Sequence, residues 1–223
     1  MPRAIPSLIG AISVVLVVLP QSVAAQPTWR IWKEQEHLNV SFAKNEQGQY
    51  AIKANVLIPN ANAAQFVSLL HDTEHAPDWL EGVKQVRLLA SPQPHHSHVF
   101  TLLNSPWPVA DRELYSLSCY ERLNEAQTKL IIKAVQSDSE VPKGRVRIED
   151  LQASWLISEQ PTGLLLEYEV EADPAGAIPN WISNKVSLKS VYRTLSNLRA
   201  RLANTQVMSP MPLTTGQCRD FMH

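Results

Sequence analysis

Two groups of histidines are the first places in the chain where side-chain type and spacing could do chemistry. His71-Asp-Thr-Glu-His75 matches the H-x-x-E-H pattern, in which two histidines one helical turn apart hold zinc and the glutamate acts as a base. Ala76 and Pro77 follow, and the residue before a proline is disfavoured in helical conformation. We therefore expect solvated polar residues at a helix end, and the zinc peptidase stays a remote alternative.

The second group consists of His95, His96 and His98, beside the turn Pro92-Gln93-Pro94. His96 and His98 would share one face of a strand and could hold a metal ion weakly. A solvated turn is the interpretation that we favour, so neither a metal site nor a cofactor is predicted. We find no nucleophile beside a base and no convincing pair of carboxylates, which argues against hydrolytic chemistry.

The first 25 residues have the features of a secretory signal. Arg3 supplies a positive start, an apolar run extends from Leu8 to Leu19, and Val23-Ala24-Ala25 offers small residues for cleavage. The run is too short for a membrane-spanning helix, which needs about 20 apolar residues. We expect the mature protein to begin near Gln26 and to be exported, with the periplasm as its expected location.

Composition limits what the remaining chain can do. Its length suffices for one domain with a sizeable core. The formal net charge of −1, without a basic block, gives no electrostatic footprint for nucleic-acid binding. The two cysteines, Cys119 and Cys218, do not form a disulfide framework. A pair between them is compatible with an oxidising compartment, but unpaired cysteines are the interpretation that we favour.

The elements that must position any site begin with a hairpin and a short helix. Residues 38–44 and 50–58 alternate around the turn Asn45-Glu-Gln-Gly48, which is typical of a β-hairpin. Asn60 or Asn62 can cap a helix over 63–71, with one further turn near 78–80. Turn residues then separate six strand-like runs, which are 83–90, 98–103, 113–123, 129–136, 146–158 and 164–172.

The chain changes period after Gly176. Pro179 suits a first helical turn, and an apolar stripe then repeats every three or four residues through Leu188, Val191, Leu195, Leu198 and Leu202. Residues 206–223 show no period and are predicted to form a flexible tail. The expected fold is α+β, a curved antiparallel sheet wrapped around one long C-terminal helix, with an apolar cavity wherever the helix does not fill the concave face.

One loop stands out between two of the predicted strands. The stretch Asn104-Ser-Pro-Trp-Pro-Val-Ala-Asp-Arg-Glu-Leu-Tyr115 places Trp107 between two prolines. Proline cannot donate to a strand ladder, so this stiff segment must be a loop or an edge. Stiff loops that carry a large aromatic side chain are often where proteins bind their ligands.

With this loop, the chain resembles the START family of lipid-transfer domains, whose members have a helix-grip fold. The similarity runs from about Ile31 to Leu202 and includes "FVSLLHDTEHAPDWLEGV", "SPWPVADRELY", Trp155 before a Pro-Thr-Gly turn, Tyr168 with "DPAGAIPNWISNK", and Leu198-Arg199. It implies a START-like domain over 26–205. It also implies that the Trp107 loop flanks the mouth of an apolar tunnel that the C-terminal helix closes.

The resemblance implies that a monomer binds a lipid or other hydrophobic ligand without catalysis. Transfer of that ligand, with transient contact to a membrane surface, is the further role that the resemblance leaves open. A polyketide cyclase or aromatase on the same fold is the alternative. The loop would be anchored by Asp111 and Arg112, with an ion pair as the expected contact. The predicted cavity or portal residues are Trp79, Val99, Thr101, Leu103, Trp107, Leu114, Ser116, Ser118, Leu188, Val191, Leu195 and Leu198.

The ligand class stays open in this prediction. Family members that bind sterol carry a buried carboxylate before the loop and an arginine after it. Counting from Arg112, the matching positions are Val99 and Ser118, neither of which is charged. A sterol-type polar anchor is therefore not expected.

Overall fold

The computed structural model describes residues 28–105, 107–203 and 213–219. The predicted signal segment, Pro106 and most of the predicted tail lie outside the described residues. The strands are β1 (Arg30–Gln35), β2 (Leu38–Lys44), β3 (Tyr50–Pro59), β4 (Val83–Ala90), β5 (His96–Leu103), β6 (Asp111–Arg122), β7 (Gln127–Ala134), β8 (Arg145–Ile148), β9 (Asp150–Gln160) and β10 (Gly163–Asp173). The helices are α1 (Ala63–His71) and α2 (Asn180–Ala203).

Within the described residues, all ten strands belong to one sheet in the order β1-β2-β3-β10-β9-β7-β6-β5-β4. Neighbours along this order are antiparallel, whereas β8 lies off it and pairs in parallel with the start of β6. The predicted single strand over 146–158 is therefore wrong, because the chain breaks at Glu149 and its first part joins another neighbour. Strand β1, at the sheet edge, was not predicted.

The register shows which side chains face inward. A continuous row crosses the sheet through Ala54, Tyr168, Trp155, Leu130 and Tyr120, each directly opposite the next. All five belong to or pack against the main buried cluster. Because side chains alternate along a strand, every second residue from this row faces the concave side, and the residues between them face the convex side.

Both predicted helices are present. Asn62 caps α1 by accepting from the N–H of Gln65, whose side chain accepts in return from the N–H of Asn62. The predicted further turn is a 3-10 helix over Ala76–Asp78. None of the described helices is long and apolar enough to cross a membrane. A curved antiparallel sheet closed by a long C-terminal helix confirms the predicted helix-grip architecture.

The expectation of unpaired cysteines is wrong, since a disulfide joins Cys119 to Cys218. Residues 213–219 run back to the end of β6, where the N–H of Gly216 donates to the carbonyl of Tyr120 at 2.9 Å. The described part of the predicted tail is thus bonded to the sheet. Sequence separation hid this pairing, because only the folded sheet brings position 119 beside the returning chain.

Candidate functional site: a cavity beneath the C-terminal helix

A cavity of about 260 Å³ lies between the concave face of the sheet and the first half of α2. Three segments frame it, namely the loop 104–110, the connection 174–179 that leads into α2, and α2 residues 182–191. Most of the lining is aliphatic, including Val109, Ile148, Val170, Ile178, Ile182 and Val186. Such a surface excludes water and gains free energy from apolar contact, at about 25 cal/mol per Å² buried.

Arg112 supplies the single charged side chain among the described residues of this lining. It is 5% exposed and donates to three backbone carbonyls. Nε donates to Pro174 O at 3.2 Å, Nη2 to Ala175 O at 3.0 Å, and Nη1 to Ala110 O. Burial lowers the pKa of Arg112, but a guanidinium remains charged in proteins. One residue thus ties the 104–110 loop to the connection 174–179.

The backbone of the connection is shaped for this contact. Ala175 and Gly176 both have left-handed conformations, with φ of 55° and 73°. This conformation costs free energy for alanine but little for glycine. The hydrogen bonds from the guanidinium to the carbonyls of Pro174 and Ala175 offset that cost and hold the turn at the edge of the cavity.

Asp111 and Arg112 both hold the loop, and the expected ion pair is present at Asp111, but its partner is Lys84 rather than Arg112. The Asp111 carboxylate accepts from Lys84 Nζ at 2.6 Å and from the Ser105 N–H at 3.1 Å. The hydrogen bond from Lys84 is the main reason that the pKa of Asp111 is lowered. Neighbouring residues on a strand point to opposite faces, so the two side chains find separate partners.

Polar contacts also hold the start of α2 against the β2–β3 turn. Asn184 accepts from the Tyr50 N–H at 3.1 Å and donates to Gly48 O at 3.0 Å. Asn180 donates to Gln47 O at 2.8 Å. These asparagines lie on the quoted stretch "DPAGAIPNWISNK", but sequence reasoning did not single them out, because a side-chain bond to a distant turn has no local pattern.

The predicted cavity residues divide into groups in the structure. Leu103 and Val191 line the cavity, together with the predicted anchor Arg112. Four of the others are part of the solid core, including Leu195 at 1% and Leu198 at 0% exposure. Trp79 and Leu188 belong to the same core cluster. Whether any of these side chains contacts a ligand stays a prediction.

The remaining predicted residues on β5 and β6 share the inward face with Arg112 but lie beyond the cavity lining. Val99 is opposite Ser116, and Thr101 is opposite Leu114. Ser118 donates to Ser97 O at 3.3 Å. The positions matched to the sterol-type charge pair, Val99 and Ser118, therefore pair with serine residues rather than with each other.

Two tryptophans lie beside the cavity and face solvent. Trp107 is 92% exposed, and its loop neighbours Ser105 and Val109 line the cavity. Trp181 is 71% exposed and lies between the lining residues Ile178 and Ile182. We call the opening bounded by loop 104–110 and residues 178–186 the mouth. Trp181 and Tyr168, which forms part of the cavity wall, were not predicted, although both belong to stretches that carried the family resemblance.

The H-x-x-E-H segment does not form the arrangement that its spacing could allow. Helix α1 ends at His71, and His75 precedes the separate 3-10 turn. His75 Nδ1 lies 2.9 and 3.0 Å from the two carboxylate oxygens of Asp72, which raises the pKa of His75. The two imidazoles are therefore not carried on one face of a continuous helix, which removes the geometric basis for the zinc-peptidase alternative.

Comparison with known proteins agrees with this architecture. A family model described as START domain matches residues 14–207. The crystal structure of a STAR-related lipid transfer protein from Xanthomonas axonopodis is similar with a TM-score of 0.71 and 25% identity, covering 78% of this chain and 98% of that one. Human STARD10 has a TM-score of 0.69 at 20% identity, covering 77% of this chain and 71% of that one.

A curated relative has a similar extent. An uncharacterised protein of Pseudomonas aeruginosa is 22% identical over 173 residues, which cover 77% of this chain and 85% of the relative. The family match spans most of the chain, and the long α2 helix over a curved sheet is the fold of the similar structures. The chain therefore belongs to the START domain family.

Proposed function

We propose that this protein binds a lipid or another hydrophobic molecule in the cavity beneath α2 and releases it through the mouth without transforming it. The observation that carries this proposal is the largely aliphatic cavity of about 260 Å³, which opens between a loop and a helix. The similar Xanthomonas axonopodis structure is that of a STAR-related lipid transfer protein, which supports the ligand class.

The size of the cavity narrows the ligand. Small-molecule sites commonly measure about 300–1,000 Å³, so this cavity of about 260 Å³ lies just below that range. A single acyl chain or a compact ring system suits it better than a two-chain lipid, unless α2 moves. Arg112 offers a positive charge beside the apolar wall, which favours a ligand that carries one polar or anionic end.

The ligand should be sought in protein purified from its natural source, by native mass spectrometry and by extraction with organic solvent. We expect a hydrophobic molecule bound at one per chain. Val191→Phe, which would fill the cavity from α2, should abolish this binding. Lys189→Phe is the matched control, because Lys189 is exposed on the same helix. Recovery of no such molecule, with turnover of an aromatic polyketide instead, would favour the cyclase alternative.

We also propose that loop 104–110 and the first half of α2 form a gate. Trp107 is almost fully exposed and makes little contribution to the core, so Trp107→Ala should leave the fold intact. Shortening this side chain should speed exchange of the bound ligand, because less of the mouth is covered. Unchanged exchange in this variant would show that the loop is only a scaffold.

Membrane contact at the mouth is a further part of the proposal. Tryptophan is enriched at membrane–water interfaces, where an apolar ring with one polar N–H is favourable. Trp107 and Trp181 project from the two sides of the mouth, and Val186, 45% exposed, lies on the same helix. A surface that meets the bilayer there would let a ligand pass without crossing water.

Transfer between phosphatidylcholine vesicles tests this contact. Trp107→Ala and Trp181→Ala should each slow transfer and reduce flotation with vesicles, while ligand affinity in solution is retained. Trp32→Ala is the matched control, because Trp32 is partly exposed on the edge strand and packs against Tyr192. Equal effects of all three substitutions would argue against contact through the mouth.

A further inference from the structure

A second group of reactive side chains lies at the end of β6, on the face of the sheet opposite the cavity. His95, His96 and Cys119 each place a ligand atom within 4.8 Å of those of the other two. Cys119 is directly opposite His96 in the β5–β6 register. Tyr120, the next residue, faces the concave side in the main core, so Cys119 and His96 face the convex side.

The imidazole rings are held close to one another and away from water. The rings of His95 and His96 have centroids 4.3 Å apart. Nε2 of His95 is buried without a hydrogen-bond partner among the described residues. Buried side-chain nitrogens nearly always have a partner, so this atom calls for an explanation, and a metal ion held by the cluster is one.

The returning C-terminal segment completes the group with a second sulfur. The disulfide places Cys218 Sγ against Cys119. Gly216 lies directly on His95, since a Cβ at position 216 would be 2.3 Å from His95 Nε2. A larger residue at position 216 would therefore have to displace the imidazole. The sulfur of Cys218 is bonded to that of Cys119, so three separate parts of the chain bring two imidazoles and a pair of sulfurs to this place.

We propose that His95, His96, Cys119 and Cys218 form a binding site for a thiophilic cation such as Zn²⁺ whenever the disulfide is reduced. Two thiolates and two imidazoles are a common tetrahedral donor set for structural zinc. Disulfide sulfurs are poor ligands, because the thiolate is the form that binds metals. The disulfide and the metal are therefore alternative ways of fastening residues 213–219 to the sheet.

The conversion balances with a dithiol as the reductant. One thiolate of the reductant attacks a sulfur of the disulfide and releases the other cysteine as a thiolate. The second thiolate of the reductant then displaces the remaining cysteine, and the reductant leaves as its own disulfide. Two electrons pass to Cys119 and Cys218. Zn²⁺ then binds both thiolates, and each cysteine that was a thiol gives up one proton on binding.

The site is chemically separate from the cavity. Its members lie on the convex side of β5 and β6, whereas the cavity opens beneath α2 on the concave side. It also uses the histidines that precede and begin β5 rather than the His71–His75 segment. The proposal consequently does not depend on lipid binding, and each can fail alone.

Zinc titration of the full protein in its reduced and oxidised forms, against a chromophoric chelator, tests the proposal. We expect one Zn²⁺ per chain in the phosphine-reduced protein. Affinity in the oxidised protein should be lower by at least about 100-fold, since even outer partners of metal ligands contribute roughly 10–100-fold. Cys119→Ser, and His95→Gln with His96→Gln, should lose the reduced-state binding. His71→Gln with His75→Gln is the matched control and should retain it.

Co²⁺ gives an independent spectroscopic measurement, because thiolate ligation produces charge-transfer absorption that imidazoles alone do not. This absorption should appear only in reduced protein that retains Cys119 and Cys218. If the reduced protein unfolds, circular dichroism should be measured before and after addition of Zn²⁺. Refolding on addition of the metal would support the site, and failure to refold would overturn it. Equal zinc affinity in the two redox forms, or in Cys119→Ser and wild type, would also overturn it.

Discussion

The two halves of α2 are attached to the same sheet by different physical means. Residues 180–191 are held by side-chain hydrogen bonds to the β2–β3 turn, partly face the cavity and place one leucine, Leu188, in the core. Residues 192–203 place Leu195, Leu198 and Leu202 into the solid core. Polar contacts can exchange with water, whereas buried leucines cannot leave without creating a void. This difference supports the proposed gate, in which the first half of α2 opens while the second half stays in place.

The strongest test of the fixed half is Leu198→Ala. Leu198 is fully buried, so truncation should lower the free energy of unfolding by about 2–5 kcal/mol. We expect urea unfolding to show this loss, while the cavity of the folded variant keeps its ligand capacity. Leu198 was among the cavity residues predicted from the sequence, whereas in the structure it packs in the core cluster.

Val186→Ala is the control on the other half of the helix. Val186 lines the cavity and is 45% exposed, so its loss should change stability by less than about 0.5 kcal/mol. Similar losses of stability in Leu198→Ala and Val186→Ala would remove the distinction between the halves.

The next effect in size concerns Arg112, which fastens the edge of the cavity beside the start of α2. Arg112→Met keeps the length of the side chain but leaves the carbonyls of Ala110, Pro174 and Ala175 without their donor. Unsatisfied buried groups cost about 1–3 kcal/mol. We expect a loss of this order in urea unfolding and faster amide hydrogen exchange in 104–110 and 174–179.

Arg112→Lys separates geometry from charge in the same measurement. Lysine keeps the positive charge but lacks the planar fork that reaches several carbonyls together. Its loops should exchange almost as fast as those of Arg112→Met. If Arg112→Lys showed the same amide hydrogen exchange as wild type, the positive charge alone would hold the loops. The planar guanidinium would then not be needed for this contact.

A matched pair of asparagines compares the two halves directly. Asn184 bonds the β2–β3 turn from the first half, and Asn197 donates to Trp79 O at 3.2 Å from the second. Each substitution to alanine should cost about 1 kcal/mol, the usual value of a hydrogen bond. Only Asn184→Ala should accelerate hydrogen exchange across 180–191, because leucine packing still holds the second half after Asn197→Ala.

Hydrogen-exchange mass spectrometry without ligand measures this difference. Acceleration confined to 192–203 in Asn197→Ala, with no change in Asn184→Ala, would reverse the assignment of the mobile half. Equal acceleration of the whole helix in both variants would show that α2 opens as one rigid unit.

The sequence predicted the fold better than it predicted the cavity. Periodicity locates both helices because burial repeats along a single segment, as the stripe through Leu195 and Leu198 does. It does not show which part of the stripe meets a void, since that depends on how far the sheet curves away beneath each turn. The core position of Leu198 and the cavity position of Val191 therefore look alike in sequence.

Contacts between distant segments were the other limit. Arg112 looked like a partner for Asp111 because the two are adjacent, yet its acceptors are at 110, 174 and 175. The Cys119–Cys218 disulfide and the histidines beside it needed the register of β6 and the path of residues 213–219. Local sequence patterns carry no information about contacts between distant segments. The family resemblance, in contrast, does locate the loop and the helix that frame the mouth.

The smallest expected effect is a pH dependence of the free energy of unfolding, which arises from His71 at the end of α1. His71 ends α1 and lies against Tyr120, a core residue, with ring centroids 6.4 Å apart. Burial lowers the pKa of His71 below its ordinary value of 6.5. The unfolded chain therefore binds more protons than the folded protein just below pH 6.5, and stability must fall as the pH drops through that range.

The described cavity lining contains no histidine, aspartate, glutamate or lysine, so the mouth should not share this response. We expect His71→Gln to lose less stability than wild type between pH 7.5 and pH 5, when both are measured by urea unfolding. The profile of the variant should be subtracted from that of wild type. The raised pKa of exposed His75 acts on stability in the opposite direction, but it is present in both proteins and cancels in this subtraction. Parallel profiles for the two proteins would mean that His71 is solvated in the folded state. Burial of His71 would then not be a source of pH dependence in the stability of the fold.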